Sequence, residues 1–228
     1  MRIKRCKFVG LLGIFFGWTS LASAAEPVPS SAVARYLVGR AHLNHNPDGT
    51  GQGQDVLYFT GINGISGSLF NGPPSDSTAF FTARSDVFSI TPVRSNSDIV
   101  LELVSAGTFD IYYNPRPNGD WNNLDTFSSG QLVASFTRPE FLVLQILQSD
   151  VSNPPPFEST THLALTGTLV KSQNFTFKGH KYDFRTIISG GITINDFVSN
   201  TGVPGVTGFP IGLAYAGHCL AVASESLD

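Results

Sequence analysis

The sequence predicts an all-β fold: a single antiparallel β-sandwich or β-barrel domain behind a cleaved signal peptide. Three observations predict it. After the first 25 residues no stretch carries the apolar period of 3.6 over a useful helix length. Short β-branched and aromatic runs recur instead, about every 8–15 residues, and Gly, Pro, Asn and Asp punctuate them. Strands that follow one another without intervening helices do not build a parallel α/β sheet, so a sandwich or closed barrel remains.

The first element is the exception. Arg2, Lys4, Arg5 and Lys7 precede the apolar run Phe8–Trp18, and Ala22-Ser23-Ala24 offers small residues to a signal peptidase. The run is too short to cross a hydrocarbon layer of about 30 Å as a permanent helix. Residues 1–25 are therefore expected to be removed near Ala25 or Glu26, leaving residues 26–228 as one domain, secreted or periplasmic.

Val33–Leu43 reads as the first strand and Asp55–Gly61 as the second. Ser77–Ile90 reads as one long bent strand or two. Ile99–Val104 and Thr108–Asn114 follow, with Ser105-Ala106-Gly107 between them as a tight hairpin signal. The Asn114–Asp120 segment cannot continue a ladder, because Pro115 and Pro117 lack donors and Asn118-Gly119 favours left-handed dihedrals. Leu132–Thr137 is the next strand. Phe141–Gln148 admits helix or strand, and its brevity before Asn153-Pro154-Pro155-Pro156 favours strand. His162–Val170, Asn174–Lys178, Tyr182–Ser189 and Gly191–Asn195 continue the pattern. Phe209–Ala223, apolar at nearly every position, reads as a central strand with a bulge or bend at its glycines.

Cysteine and charge usage then exclude several functions. Cys6 leaves with the signal and only Cys219 remains, which excludes a disulfide-stapled scaffold and a zinc site built on several thiolates. The chain has 14 basic and 17 acidic residues, and loss of the four basic signal residues leaves 10 against 17, net −7. No Lys/Arg cluster survives, so nucleic acid is not an expected partner. No lipidation cysteine follows the signal core and the C-terminus is not an apolar tail, so no stable membrane anchor is expected.

Two loops carry oxygen-rich chemistry. Asn44–Asp55 places Asn44, Asn46 and Asp48 at positions one, three and five of a twelve-residue loop, with Gly49 at six and Asp55 at twelve. That is the spacing of a calcium loop, in which glycine allows the sharp turn and the last acid closes the shell. Asn at position one and Asp in place of Glu at twelve depart from it, and strands rather than helices flank it. A Gly/Asn-rich hairpin explains the same residues without metal. The second loop, Asn118–Asp125, gathers Asp120, Asn122 and Asp125, which suit either a hard cation or self-capped Asx turns. Within it Trp121, together with Tyr112 and Tyr113, has the composition of a sugar-binding surface, while a buried Trp closing a β core predicts the same letter.

Nucleophilic chemistry has thin support. His42 and His45 would face opposite sides of a strand, as would His218 and Cys219. No nucleophile elbow or phosphate loop is present. The reading that follows is a binding or structural role, with a small ligand, a carbohydrate or a protein as partner, no required cofactor, and calcium as the one cofactor suggested. The alternative is a hydrolase or isomerase working inside a barrel cavity, which asks inward-facing His, Asp or Tyr residues, or polar groups such as Tyr36, Arg84, Glu102 and Arg185, to cluster there.

Overall fold

The computed structural model describes residues 27–29, 32–95, 99–147 and 159–222. The expected signal peptide and the Asn153–Pro156 loop lie outside these residues.

The described strands are β1 (Val33–His45), β2 (Gly51–Ile62), β3 (Phe81–Ser85), β4 (Phe88–Ser95), β5 (Ile99–Val104), β6 (Gly107–Tyr113), β7 (Gln131–Arg138), β8 (Phe141–Leu147), β9 (Ser159–Ser172), β10 (Phe175–Phe177), β11 (His180–Tyr182), β12 (Ile192–Val206) and β13 (Phe209–Val222). A single four-residue helix, α1 (Phe184–Ile187), follows β11.

All strands but β10 and β11 join one antiparallel sheet that closes on itself. Its order is β1-β13-β12-β9-β7-β6-β3-β2, and β2 returns to β1. β4, β5 and β8 extend three of these strands. The β3–β6 ladder and the Ile90–Pro92 part of β4–β5 share one register, and so do the Gly107–Ile111 part of β6–β7 and the β5–β8 ladder. β3–β4, β5–β6 and β7–β8 are thus each two halves of one bent strand, and the wall is an eight-stranded barrel in which chain neighbours are sheet neighbours. The choice between sandwich and barrel falls to the barrel because β1 pairs with both β2 and β13, which leaves no edge.

This geometry corrects the hairpin expected at Ser105-Ala106-Gly107. β5 and β6 do not pair with each other; they run end to end, each against the strand half beside it. Asp86 bridges the break, its N–H donating to the Thr108 carbonyl at 3.2 Å and its Oδ2 accepting from the Thr108 N–H at 3.0 Å. The small residues thus allow a bend, since the ladders on both flanks already fix the direction of the chain.

A second correction concerns Tyr182–Ser189, expected as a strand. The Asp183 side chain accepts the Arg185 N–H at 2.7 Å, an N-cap that starts α1. A two-residue turn with positive φ at Lys178 (49°) and Gly179 (83°) folds β10 onto β11. Phe175, Phe177, Tyr182, Phe184, Ile187 and Ile188 from this segment are buried with Phe81, Leu69 and Ile62. They close the barrel end where β1 begins. At the opposite end a smaller core forms from Leu43, Phe88, Ile90, Val104 and Val143. A third cluster lies outside the wall, where the 114–130 connection packs Leu124 and Phe127 over Val56, with Trp121 beside them.

Candidate functional site

Between the two end cores the barrel is not filled. A cavity of about 90 Å³ remains, and its lining includes Arg35, Asp55, Arg138, Tyr215 and Cys219 as well as leucines and phenylalanines. Strand alternation puts these groups inside. Arg35 shares the inward side of β1 with Leu37, Ala41 and Leu43, and Asp55 shares that of β2 with Leu57 and Phe59. Tyr215 and Cys219 sit two and four residues from Leu213 and Tyr215 on β13.

Two glycines make room for rings, one in this space and one in the end core beside it. A Cβ at Gly39 would stand 2.6 Å from the Tyr215 hydroxyl oxygen, and one at Gly53 would stand 2.6 Å from Phe88 Cζ. Gly39 thus lets Tyr215 cross the barrel interior instead of being pushed from it.

The polar groups of the cavity are poorly paired. Arg35 is 3% exposed and Arg138 is 5% exposed. Arg35 Nη2 donates to Thr193 Oγ1 at 3.4 Å, while its Nε and Nη1 have no hydrogen-bond partner. None of the three guanidinium nitrogens of Arg138 has one. Both guanidiniums rest on aromatic faces instead, Arg35 at 4.5 Å from the Phe136 centroid and Arg138 at 4.7 Å from that of Phe88. Cation–π contact of this kind recovers about 1–2 kcal/mol, against several for the desolvated charge.

Titration follows from the same environment. Burial pushes the Asp55 carboxyl up to about 6, with the Arg138 charge opposing the rise. Burial raises Tyr215 well above its usual value, and the Asp55 charge adds to that. Burial also raises the Cys219 thiol, which fits an unreactive neutral thiol. Near neutral pH the cavity therefore holds two cations, one carboxyl titrating close to that pH, and two neutral groups.

Outside the wall the charged cluster around Arg84 is satisfied. Arg84 donates to Asp125 Oδ1 at 2.6 Å, Ser128 Oγ at 3.3 Å and Gln54 Oε1 at 3.2 Å. His42, on the outward side of β1, is fully buried with both ring nitrogens unpartnered, and burial lowers its pKa to about 4. It is a neutral histidine under the external cover. Near the end opposite the aromatic plug, His45 Nε2 lies 3.7 Å from Glu102 Oε1, and Gln145 donates to Glu102 Oε2 at 3.0 Å.

The structure separates most residues singled out from sequence. Asn44 lies in β1 opposite Gln52, and Asn46 and Asp48 lie in the β1–β2 turn, whereas Asp55 faces Ala41 well inside the barrel. The turn satisfies itself: Asp48 Oδ1 accepts from Thr50 N at 3.0 Å and Thr50 Oγ1 at 2.6 Å, and Asn46 Nδ2 donates to Thr50 Oγ1 at 3.0 Å. The second loop does the same, with Asp120 Oδ1 accepting from Asn122 N at 2.9 Å. Among the described residues no three His, Cys, Asp or Glu side chains are grouped as a metal would need.

Tyr112, Tyr113 and Trp121 do not form one platform. Tyr113 packs inside, 5.2 Å from Phe81 and 5.8 Å from Phe175 between ring centroids. Tyr112, its strand neighbour, faces the other side and donates to Asp110 Oδ2 at 3.3 Å. Trp121 stacks outside, 4.8 Å from Phe127 and beneath the Arg40 guanidinium at 4.6 Å. Of the polar residues named for a catalytic cavity, Tyr36 is 49% exposed, Arg84 faces outward, Arg185 is exposed and only Glu102 is buried; none lines the cavity.

Arg35, Arg138 and Tyr215 were missed. Their signal was present: each sits at even spacing from an inward apolar residue, with Leu37, Phe136 and Leu213 as the respective markers. Comparison of the chain with protein-family models, with curated proteins and with solved structures finds no match in any of the three.

Proposed function

We propose that this chain is an exported binding protein that holds a small organic ligand inside its barrel. The observation that carries the proposal is the pair of buried guanidiniums, without hydrogen-bond acceptors for most of their donors, around an interior cavity. A protein that needed this space only as core would gain by filling it with apolar side chains, because unpaired buried charge is costly. A site that must receive a polar molecule keeps its donors open and its walls apolar. The dispersed positions of Trp121, Tyr112 and Tyr113 give no matching support to an external sugar platform.

The test is thermal unfolding of the purified protein with butyrate, butyramide and benzene, beside an Ala41→Leu variant that fills part of the lining. At least one probe raises the midpoint of the parent protein and not of the filled variant, since ligands that bind only the folded state stabilise it by mass action. If no probe moves the parent midpoint, interior binding is wrong.

One observation favours a second reading, a barrel-cavity hydrolase or isomerase. A carboxyl with a pKa of about 6 suits general base work near neutral pH, and Tyr215, held protonated in the same cavity, suits a hydrogen-bond donor to developing negative charge. Turnover that disappears in Asp55→Asn while binding persists would move the assignment from carrier to enzyme.

A further inference from the structure

Resting on the interior-binding reading, we infer that the ligand is a small organic monocarboxylate whose carboxylate group lies against the Arg35 guanidinium.

Charge comes first. The titratable groups lining the cavity are Arg35, Arg138, Asp55, Tyr215 and Cys219. The last two are held neutral, so two cations face a single acid. That acid is the electrostatic neighbour of Arg138, with each shifting the other's titration. Arg35 forms no ion pair among the described residues; around it are Thr193, Cys219 and the rings of Phe59 and Phe136. A buried cation with no acidic partner among the described residues calls for an anion.

Directional chemistry comes second. Two Arg35 nitrogens retain free donors at 3% residue exposure. A guanidinium presents its N–H groups in a planar fork that matches the two oxygens of a carboxylate. The Thr193 hydroxyl, 3.4 Å from Nη2, is itself held by the Gly167 carbonyl and Asn195 Oδ1, and so fixes the edge of the guanidinium that it meets and leaves the other two nitrogens open.

Size and lining then restrict the class. A cavity of about 90 Å³ is several times the roughly 10–15 Å³ that one water needs. It suits a carboxylate with a short hydrocarbon tail and not a long-chain acid. Leu37, Leu57, Leu165 and Phe197 line the remainder, which an inorganic anion would leave without contacts and a short alkyl tail would fill.

The experiment follows the arginine Nε–H resonances and the unfolding midpoint of the purified protein during titration with sodium butyrate. Sodium chloride at matched ionic strength and neutral butyramide are parallel arms. The inference expects saturable movement of the Arg35 Nε–H signal with butyrate only, and about tenfold or greater weakening in Arg35→Met. The NMR arm needs no variant, so it decides even if Arg35→Met fails to fold. Equal binding of butyrate and butyramide by parent and Arg35→Met would leave interior binding standing and overturn the carboxylate assignment. A chloride response equal to that of butyrate, or movement of Arg138 alone, would overturn it too. Silence in every arm would remove the interior-binding reading itself.

Discussion

Two arginine-centred clusters, on opposite sides of one barrel wall, use similar residues to opposite ends. Outside, Arg84 meets Asp125, Ser128 and Gln54, and the connection carrying Asp125 is held by Phe127, which is 0% exposed. Inside, Arg35 and Arg138 keep five nitrogens without a hydrogen-bond partner, two on Arg35 and three on Arg138. The outer cluster is complete and fixes a loop. The inner one is incomplete, and open charged donors around an unfilled space are what a binding site offers and a filled core does not.

The contrast breaks most visibly at its anchor. Phe127→Ala removes a fully buried ring that packs on Trp121, and should cost about 3–5 kcal/mol by denaturant unfolding. A loss under about 1 kcal/mol would mean that the outer connection is not fastened there. Next in size, Arg35→Met should leave the ligand-free protein equally stable or raise its stability by about 1–4 kcal/mol, because it removes a buried, uncompensated charge. Marked destabilisation would show Arg35 to be a structural member like Arg84.

Acid titration sharpens the comparison further. Asp55 has a folded pKa of about 6, above its ordinary 3.8, so its stabilising contribution is full below 3.8 and is lost as pH rises through 6. His42 has a folded pKa of about 4, below its ordinary 6.5, so its contribution is full above 6.5 and is lost as pH falls toward 4. The two slopes oppose each other between about pH 4 and pH 6. Stability measured across that window should fall more steeply on acidification in Asp55→Asn than in the parent, and should rise on acidification in His42→Phe. Parallel profiles for all three proteins would mean that neither group titrates as its surroundings imply.

The smallest effects concern the exterior. Arg84→Ala should cost only about 0.2–1 kcal/mol, since the Asp125 side chain is 83% exposed and the pair is screened by water. Calcium against a chelator should leave the unfolding midpoint unchanged, because the β1–β2 turn already satisfies Asp48. A calcium-dependent rise abolished by Asp48→Ala would restore that turn as a metal site.

The all-β class was legible because periodicity and punctuation are local. Val33–Leu43, Ile99–Val104 and Phe209–Ala223 declare their strands through β-branched and apolar runs alone. Opposite facing of His218 and Cys219 was legible for the same reason, and Cys219 is indeed 2% exposed. The interior site was half legible: Asp55 was noticed, but for a loop position it does not occupy, and Arg35 passed as an ordinary strand residue.

Local sequence therefore determined most of the strands, Tyr182–Ser189 excepted, and which side chains alternate. Tertiary structure alone decided that the sheet closes, that β5 and β6 continue one another, and that Asp55, Arg138, Tyr215 and Arg35 share one interior. The physical reason is that period two separates the two faces of a strand without saying which faces inward. Only closure of β1 onto both β2 and β13 fixes that direction, and with it which arginines lose water and which keep their partners.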